Sequence, residues 1–183
     1  MRVISGFLKG RNIKGYDIDG TRPTMDRVKE SMFATIQNNL KDSVCLDLFC
    51  GSGNLGIEAI SNGSKLCYFV DNNINAIKVV NENIKNLNVK NNTKVLNFDY
   101  KKSLKYFKEN RITFDLIFVD PPYDYHVIEK VIKYVDEYNL LNDNGLLILE
   151  FEKENLEEIY GNLKLIKNKK YSWKYVYIYK KTI

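Results

Sequence analysis

From residue 43 onward, short apolar runs alternate with helical stripes, and that alternation constrains the fold more than any other feature of the chain. Residues 44–49 form a short apolar run, broken only by Asp47 and ending at glycines, the pattern of a buried strand. Residues 54–62 suit a helix closed by Gly63. A second strand over 66–70 ends at Asp71, and Ile74, Ile77, Val80, Ile84 and Leu87 then space as one helix face. The order repeats through a strand at 94–98, a basic helix at 101–110 and a strand at 114–119. A helix marked by Val127, Ile128, Val131, Ile132 and Val135 follows, and then a strand at 145–151. Such alternation predicts an α/β fold, a mostly parallel sheet with helices on both faces and ligands at the carboxyl ends of its strands.

The two ends differ from this body. Residues 170–179 alternate at period two, with 163–167 as a partner, and predict a C-terminal antiparallel hairpin whose Trp/Tyr face belongs to the core. Residues 1–14 read as a short β-hairpin turning near Lys9-Gly10. Val28, Met32, Phe33, Ile36 and Leu40 then mark a helix with Thr24 as N-cap. The expected division is an N-terminal appendage over 1–42 and a main unit over 43–183.

After the first strand stands Asp47-Leu48-Phe49-Cys50-Gly51-Ser52-Gly53-Asn54-Leu55-Gly56, a G-x-G-x-x-G turn with Asp71 twenty positions after Gly51. Glycines let a backbone approach its ligand, and an acid ending the second strand can bind both hydroxyls of a ribose. Nicotinamide enzymes use the same device, so the neighbours carry the distinction. Asp47 could hold an ammonium group, and Asp99, after the third strand, could accept the exocyclic amine of adenine. A ligand with ammonium, ribose and adenine in that order is S-adenosylmethionine. Asp47, Phe49, Gly51, Gly53, Asp71, Asn72, Asp99 and Asp120 are the candidate contacts to it, with a nicotinamide cofactor as the alternative.

Asp120-Pro121-Pro122-Tyr123 follows the fourth strand. Prolines fix the backbone and remove amide donors, leaving carbonyls as the loop's resource. Such a loop suits an exocyclic amino group on a planar base. With its two hydrogens accepted by the Asp120 carboxylate and the Pro121 carbonyl, the nitrogen can turn its lone pair toward a sulfonium methyl. Positioning within about 3–3.5 Å is then the larger part of catalysis, and Asp120 is an orienting acceptor before it is a proton relay. Tyr123 would stack on the base, worth about 1–3 kcal/mol.

Composition narrows the alternatives. Cys45, Cys50 and Cys67 form no C-x-x-C pair and lie away from the fourth strand, which argues against a disulfide framework and against thiolate attack on a pyrimidine carbon. His126, the single histidine, excludes a multi-histidine metal site; no metal is expected. No apolar run approaches the ~18 residues of a membrane span, and a cytosolic protein is expected. Residues 1–41 carry eight Lys/Arg against four acids, and residues 163–183 carry seven Lys and no acid, so basic ends flank an acidic body. That arrangement suggests a polyanionic partner.

With these residues in view, the chain resembles the bacterial 16S ribosomal RNA guanine-N2 methyltransferases of the RsmD family over nearly its full length. The likeness lies in Met1-Arg2-Val3-Ile4-Ser5-Gly6, in Lys9-Gly10-Arg11 and in Gly20-Thr21-Arg22-Pro23-Thr24-Met25-Asp26-Arg27-Val28-Lys29-Glu30, besides the glycine turn and Asp120–Tyr123 motif. Cys50 and Asp71 depart from the small residue and the glutamate that are frequent there. The resemblance implies a Rossmann-like methyltransferase fold with seven strands, S-adenosylmethionine as cofactor and a guanine exocyclic amine as target. It further implies 16S rRNA in a partly assembled small ribosomal subunit as substrate. Arg2, Arg11, Lys14 and Arg22 would contact phosphates, Thr24 would lie near the cofactor's methionine end, and Arg22 and Arg27 would face RNA or brace the loop. A monomer is expected. A DNA adenine-N6 or cytosine-N4 methyltransferase remains the alternative, disfavoured by the lack of room for a target-recognition domain, together with a non-catalytic RNA-binding assembly factor.

Overall fold

The first helix, α1 (Pro23–Thr35), opens on a proline, which loses nothing at the first helical position because that N–H has no partner within the helix. Thr24 therefore lies inside the first turn rather than capping it. In this computed structural model, residues 1–15, 23–121, 125–152 and 155–182 are described. Arg22, Pro122 and Tyr123 fall outside them, as does the Thr24 side chain.

The main unit runs β1 (Val44–Leu48), α2 (Asn54–Ser61), β2 (Leu66–Val70), α3 (Ile74–Asn86), β3 (Thr93–Leu96), α4 (Tyr100–Glu109), β4 (Phe114–Val119), α5 (Tyr125–Glu137), β5 (Leu141–Phe151), β6 (Ile159–Tyr160), β7 (Leu163–Tyr171) and β8 (Lys174–Lys181). The strands form one sheet in the order β3-β2-β1-β4-β5-β8-β7-β6. β1 to β5 pair in parallel, and β8 enters antiparallel between β5 and β7. Parallel strands with helices on both faces need mostly apolar residues, which is why β1, β2 and β4 are apolar apart from Asp47 and Asp115. One face packs Cys45, Phe69, Phe118 and Ile148 under α1, α2 and α3, with Phe33 stacked on Phe118 at 5.5 Å. The other packs Leu46, Val70, Ile117 and Leu147 under Leu104 and Phe107 of α4 and Val131 and Ile132 of α5.

The sheet has eight described strands where seven are expected, because Ile159–Tyr160 adds a two-residue edge strand beyond β7. Two residues carry no readable periodicity. The N-terminal hairpin is reduced to the single bridge Arg2↔Asn12, its turn formed by Gly6 and Gly10 with φ of 81° and 84°. A Cβ at Gly6 would sit 1.9 Å from the Ser61 carbonyl oxygen, so only glycine lets the turn lie on the end of α2. In the C-terminal hairpin Tyr177 and Tyr179 are core residues as expected, whereas Trp173 occupies the turn and is 37% exposed.

Polar contacts bind the N-terminal segment to the sheet's helices. Lys29, buried on α1, places Nζ 3.3 Å from Glu58 Oε2, 2.7 Å from Asn54 Oδ1 and 2.9 Å from the Arg2 carbonyl. Glu58 in turn accepts the backbone N–H groups of Ile4 and Ser5. Burial lowers the Lys29 pKa, opposed by the charge of Glu58. Asn83 on α3 donates to the carbonyls of both Lys14 and Ser52, each at 2.9 Å. No helix among the described residues is long and apolar enough to cross a membrane.

Candidate active site

The turn between β1 and α2 is built for close approach. Phe49, Gly51 and Gly53 have φ of 61°, 53° and 86°, a left-handed backbone that favours glycine. A Cβ at Gly53 would lie 2.6 Å from Val80 Cγ2 of α3, and one at Gly56 would lie 2.4 Å from Phe69 Cε1 of β2, so glycines let the start of α2 pack closely on α3 and on the sheet. Phe49 holds its uncommon conformation with its ring 5.6 Å from that of Tyr100, in the first turn of α4.

The acids divide into two groups. Asp47 pairs in register with Phe69 and Phe118, and Asp71 and Asp120 lie two residues beyond those partners, on the same face of the sheet. Glu150 follows Leu149, the partner of Val119, and so stands beside Asp120. Four carboxylates thus gather at the carboxyl ends of β1, β2, β4 and β5. Asp47 is buried beneath the turn rather than presented at the strand's tip, and Gly56 N–H donates to its Oδ2 at 2.9 Å. Burial, with the charges of Asp120, Asp71 and Glu150, raises its pKa well above the carboxylate range. Asp71 accepts the Gly51 N–H on Oδ2 and the Asn73 N–H on Oδ1, both at 2.9 Å. Each oxygen keeps a second lone pair for a ligand. Asn72 beside it is exposed.

Asp99 stands apart from this group. It is the exposed N-cap of α4, its Oδ1 accepting the Lys102 N–H at 2.8 Å. Arg2, Arg11, Lys14 and Arg27 are exposed. Arg11 donates to the Asn86 carbonyl at 3.0 Å, and Lys14 pairs with Glu82 at 3.0 Å. The three cysteines are buried and free; burial pushes the Cys45 thiol up to about 11 and those of Cys50 and Cys67 well above the usual value. A thiolate nucleophile is not available there.

Two polar residues of the site escape a reading of the sequence. Lys174, at the start of β8, lies 3.3 Å from Glu150 Oε2 and 3.8 Å from Asp120 Oδ1. Burial raises the Asp120 pKa against the pull of Lys174. Burial and the charge of Asp120 push Glu150 up to about 7, from an ordinary 4.5. A carboxyl whose pKa is raised by folding stabilises the fold in its protonated form. That contribution is complete below pH 4.5 and lost as pH rises through about 7, on the order of 3 kcal/mol. Melting curves of Glu150→Gln and the parent chain should therefore diverge in the variant's favour between pH 5 and 8; a constant difference would show that Glu150 ionises freely.

A mixed, mostly parallel sheet in this order, with a glycine turn after β1 and Asp-Pro after β4, defines an α/β methyltransferase fold. The family described as "Conserved hypothetical protein 95" matches residues 1–180. The chain is 40% identical over 182 residues, 99% of both chains, to "Putative rRNA methyltransferase YlbH" of Bacillus subtilis. It is 34% identical to "Ribosomal RNA small subunit methyltransferase D" of Haemophilus influenzae, covering 92% of this chain and 88% of that one. Among solved structures, "Putative methyltransferase yhhF from Escherichia coli" superposes with a TM-score of 0.87 at 28% identity, over 100% of this chain and 98% of that one. The chain belongs to this family, the RsmD family to which the N-terminal and Asp-Pro-Pro-Tyr motifs point.

Proposed function

We propose that the chain methylates the exocyclic N2 amine of a guanine in 16S rRNA, in a partly assembled small ribosomal subunit, using S-adenosylmethionine. The observation that carries this reading is the position of Asp120, at the end of β4 on the same sheet face as Asp47 and Asp71 and followed directly by Pro121. The charges of Asp120, Asp71 and Glu150 raise the Asp47 pKa, and carboxylates clustered in this way favour a cationic ligand; the sulfonium and ammonium of the cofactor fit that environment. Asp71 with Asn72 would bind the ribose, Asp99 the adenine amine with Phe49 beside it, and the Gly51–Gly53 backbone and Asp47 the methionine end. When bound, the cofactor supplies an electrophilic methyl group. Asp120 and the Pro121 carbonyl accept the two hydrogens of the target amine and fix its lone pair, while Tyr123 stacks on the base. Pro122 belongs to the same motif and, as a proline, has no backbone N–H to donate. Residues 1–42 form the RNA-contacting unit, with Arg2, Arg11, Lys14, Arg22, Thr24 and Arg27 as its contacts.

The purified chain should transfer label from tritiated S-adenosylmethionine to small-subunit RNA, with N2-methylguanine recovered by mass spectrometry. Label in N6-methyladenine or N4-methylcytosine of DNA would replace the RNA reading. Uptake of NADH with none of S-adenosylmethionine would remove the methyltransferase reading altogether.

A further inference from the structure

We propose that the tip of the β7–β8 hairpin is a second RNA-contacting surface, in which Trp173 stacks on an unpaired base and Lys169 and Lys170 bind phosphates. This rests on the RNA substrate proposed above. The antiparallel register Phe151↔Tyr175 and Tyr171↔Lys174 carries the tip to the carboxyl end of β5, the end at which the site lies. There Lys174 reaches Asp120 at 3.8 Å, so the neighbouring Trp173 borders the position assigned to the target amine. Its ring also lies 5.1 Å from Lys174 Nζ. The turn is a tight one, Ser172 holding φ at 53°, and it presents the indole on a fixed backbone.

Lysine on this hairpin has a simpler explanation in part. β7 is nearly an edge strand, since β6 covers only Leu163 and Lys164, and edge lysines discourage sheet-to-sheet association. Lys167 is committed to Thr35 Oγ1 at 2.7 Å, which fastens β7 to α1. Edge protection does not account for an exposed indole at the tip. Lys169 and Lys170 are exposed beside it, 4.9 Å and 5.6 Å from the rings of Tyr171 and Tyr175. Lys169 Nζ also comes within 3.5 Å of Ser31 Oγ. Ser31 lies one helical turn after Arg27, so the basic N-terminal and C-terminal segments meet on one rim. An exposed indole flanked by cations that sit over half-buried tyrosine rings fits a single-stranded polyanion with flat bases.

Trp173 is the chain's one tryptophan, so its emission reports the tip directly. In the presence of saturating S-adenosylhomocysteine, a mixed-sequence single-stranded oligoribonucleotide should quench that emission. Inorganic polyphosphate, which has the charge without bases, should not. Trp173→Ala should weaken oligoribonucleotide binding about 5- to 150-fold, with Trp173→Phe keeping part of the affinity. Lys169→Ala with Lys170→Ala should lower the slope of log affinity against log salt by about 1.4. All three variants should melt within a degree or two of the parent chain. RNA binding with unchanged emission and unchanged variants would overturn the tip as a contact while leaving the proposed substrate intact. Quenching by polyphosphate equal to that by RNA would overturn the stacking. Absence of any RNA binding by the parent chain would overturn both this surface and the RNA substrate.

Discussion

Asp120→Ala should retain S-adenosylmethionine binding within a few-fold and lose at least a hundredfold in methyl transfer. An amine conjugated to a purine is a weak nucleophile, and its reactivity depends on orientation rather than on a strong base. Removing one of two acceptors frees the nitrogen to rotate, and misplacement of about 1 Å costs two decades in rate, about 3 kcal/mol. The Asp71 carboxylate and the glycine turn do not touch Asp120 directly, so donor binding should persist. Single-turnover kinetics at saturating RNA, paired with calorimetry of the donor, separates the two effects. Transfer at the parent rate would remove Asp120 from the chemistry. Asp120→Asn, which keeps one acceptor oxygen, should fall between the two.

Lys29→Met should lower the melting temperature by about 6–20 °C. The substitution conserves volume but leaves Glu58, fully buried, without its cation. Breaking a buried ion pair from one side costs about 3–5 kcal/mol, and in a domain of this size each kcal/mol shifts the midpoint by about 2–4 °C. The backbone N–H groups of Ile4 and Ser5 still face Glu58, so the second substitution Glu58→Gln, which neutralises the charge and keeps an acceptor, should recover a good part of the loss. A midpoint within two degrees of the parent for Lys29→Met alone would show that the Lys29–Glu58 contact contributes little to the fold. The pair matters beyond stability because Lys29 joins α1, the start of α2 and the Arg2 backbone in one cluster.

What the sequence reveals here follows the range of the forces involved. The parallel core is legible because burial on both faces demands contiguous apolar runs, and the glycine turn because close approach leaves no alternative residue. Asp47, Asp71 and Asp120 align from the chain's pattern alone, since each sits at or just beyond a strand end with even spacing from its core neighbours. Lys174 and Glu150 do not. Their contact depends on the antiparallel register of β5 with β8, which local pattern does not encode. Lys29 does carry a signal: it shares a stripe with Met32, Phe33 and Ile36, and Glu58 interrupts an otherwise apolar helix face. Asp99 preceding a helix is likewise an ordinary N-cap signal beside its ligand reading. Periodicity places Trp173 in the core because alternation continues through the turn, and Ser-Trp is not a pair that announces one.

The place of β8 in the sheet bears on how the polypeptide is made. Among the described strands, β7 joins the parallel part of the sheet only through β8, and β5 has no other neighbour on that side. A nascent chain that has reached Tyr171 still displays a bare apolar border at Leu146–Phe151, open to pairing with any other strand. Closure waits until β8 has emerged, so this half of the sheet assembles after β1 to β5, and chains stalled or clipped before Lys174 should be the aggregating ones.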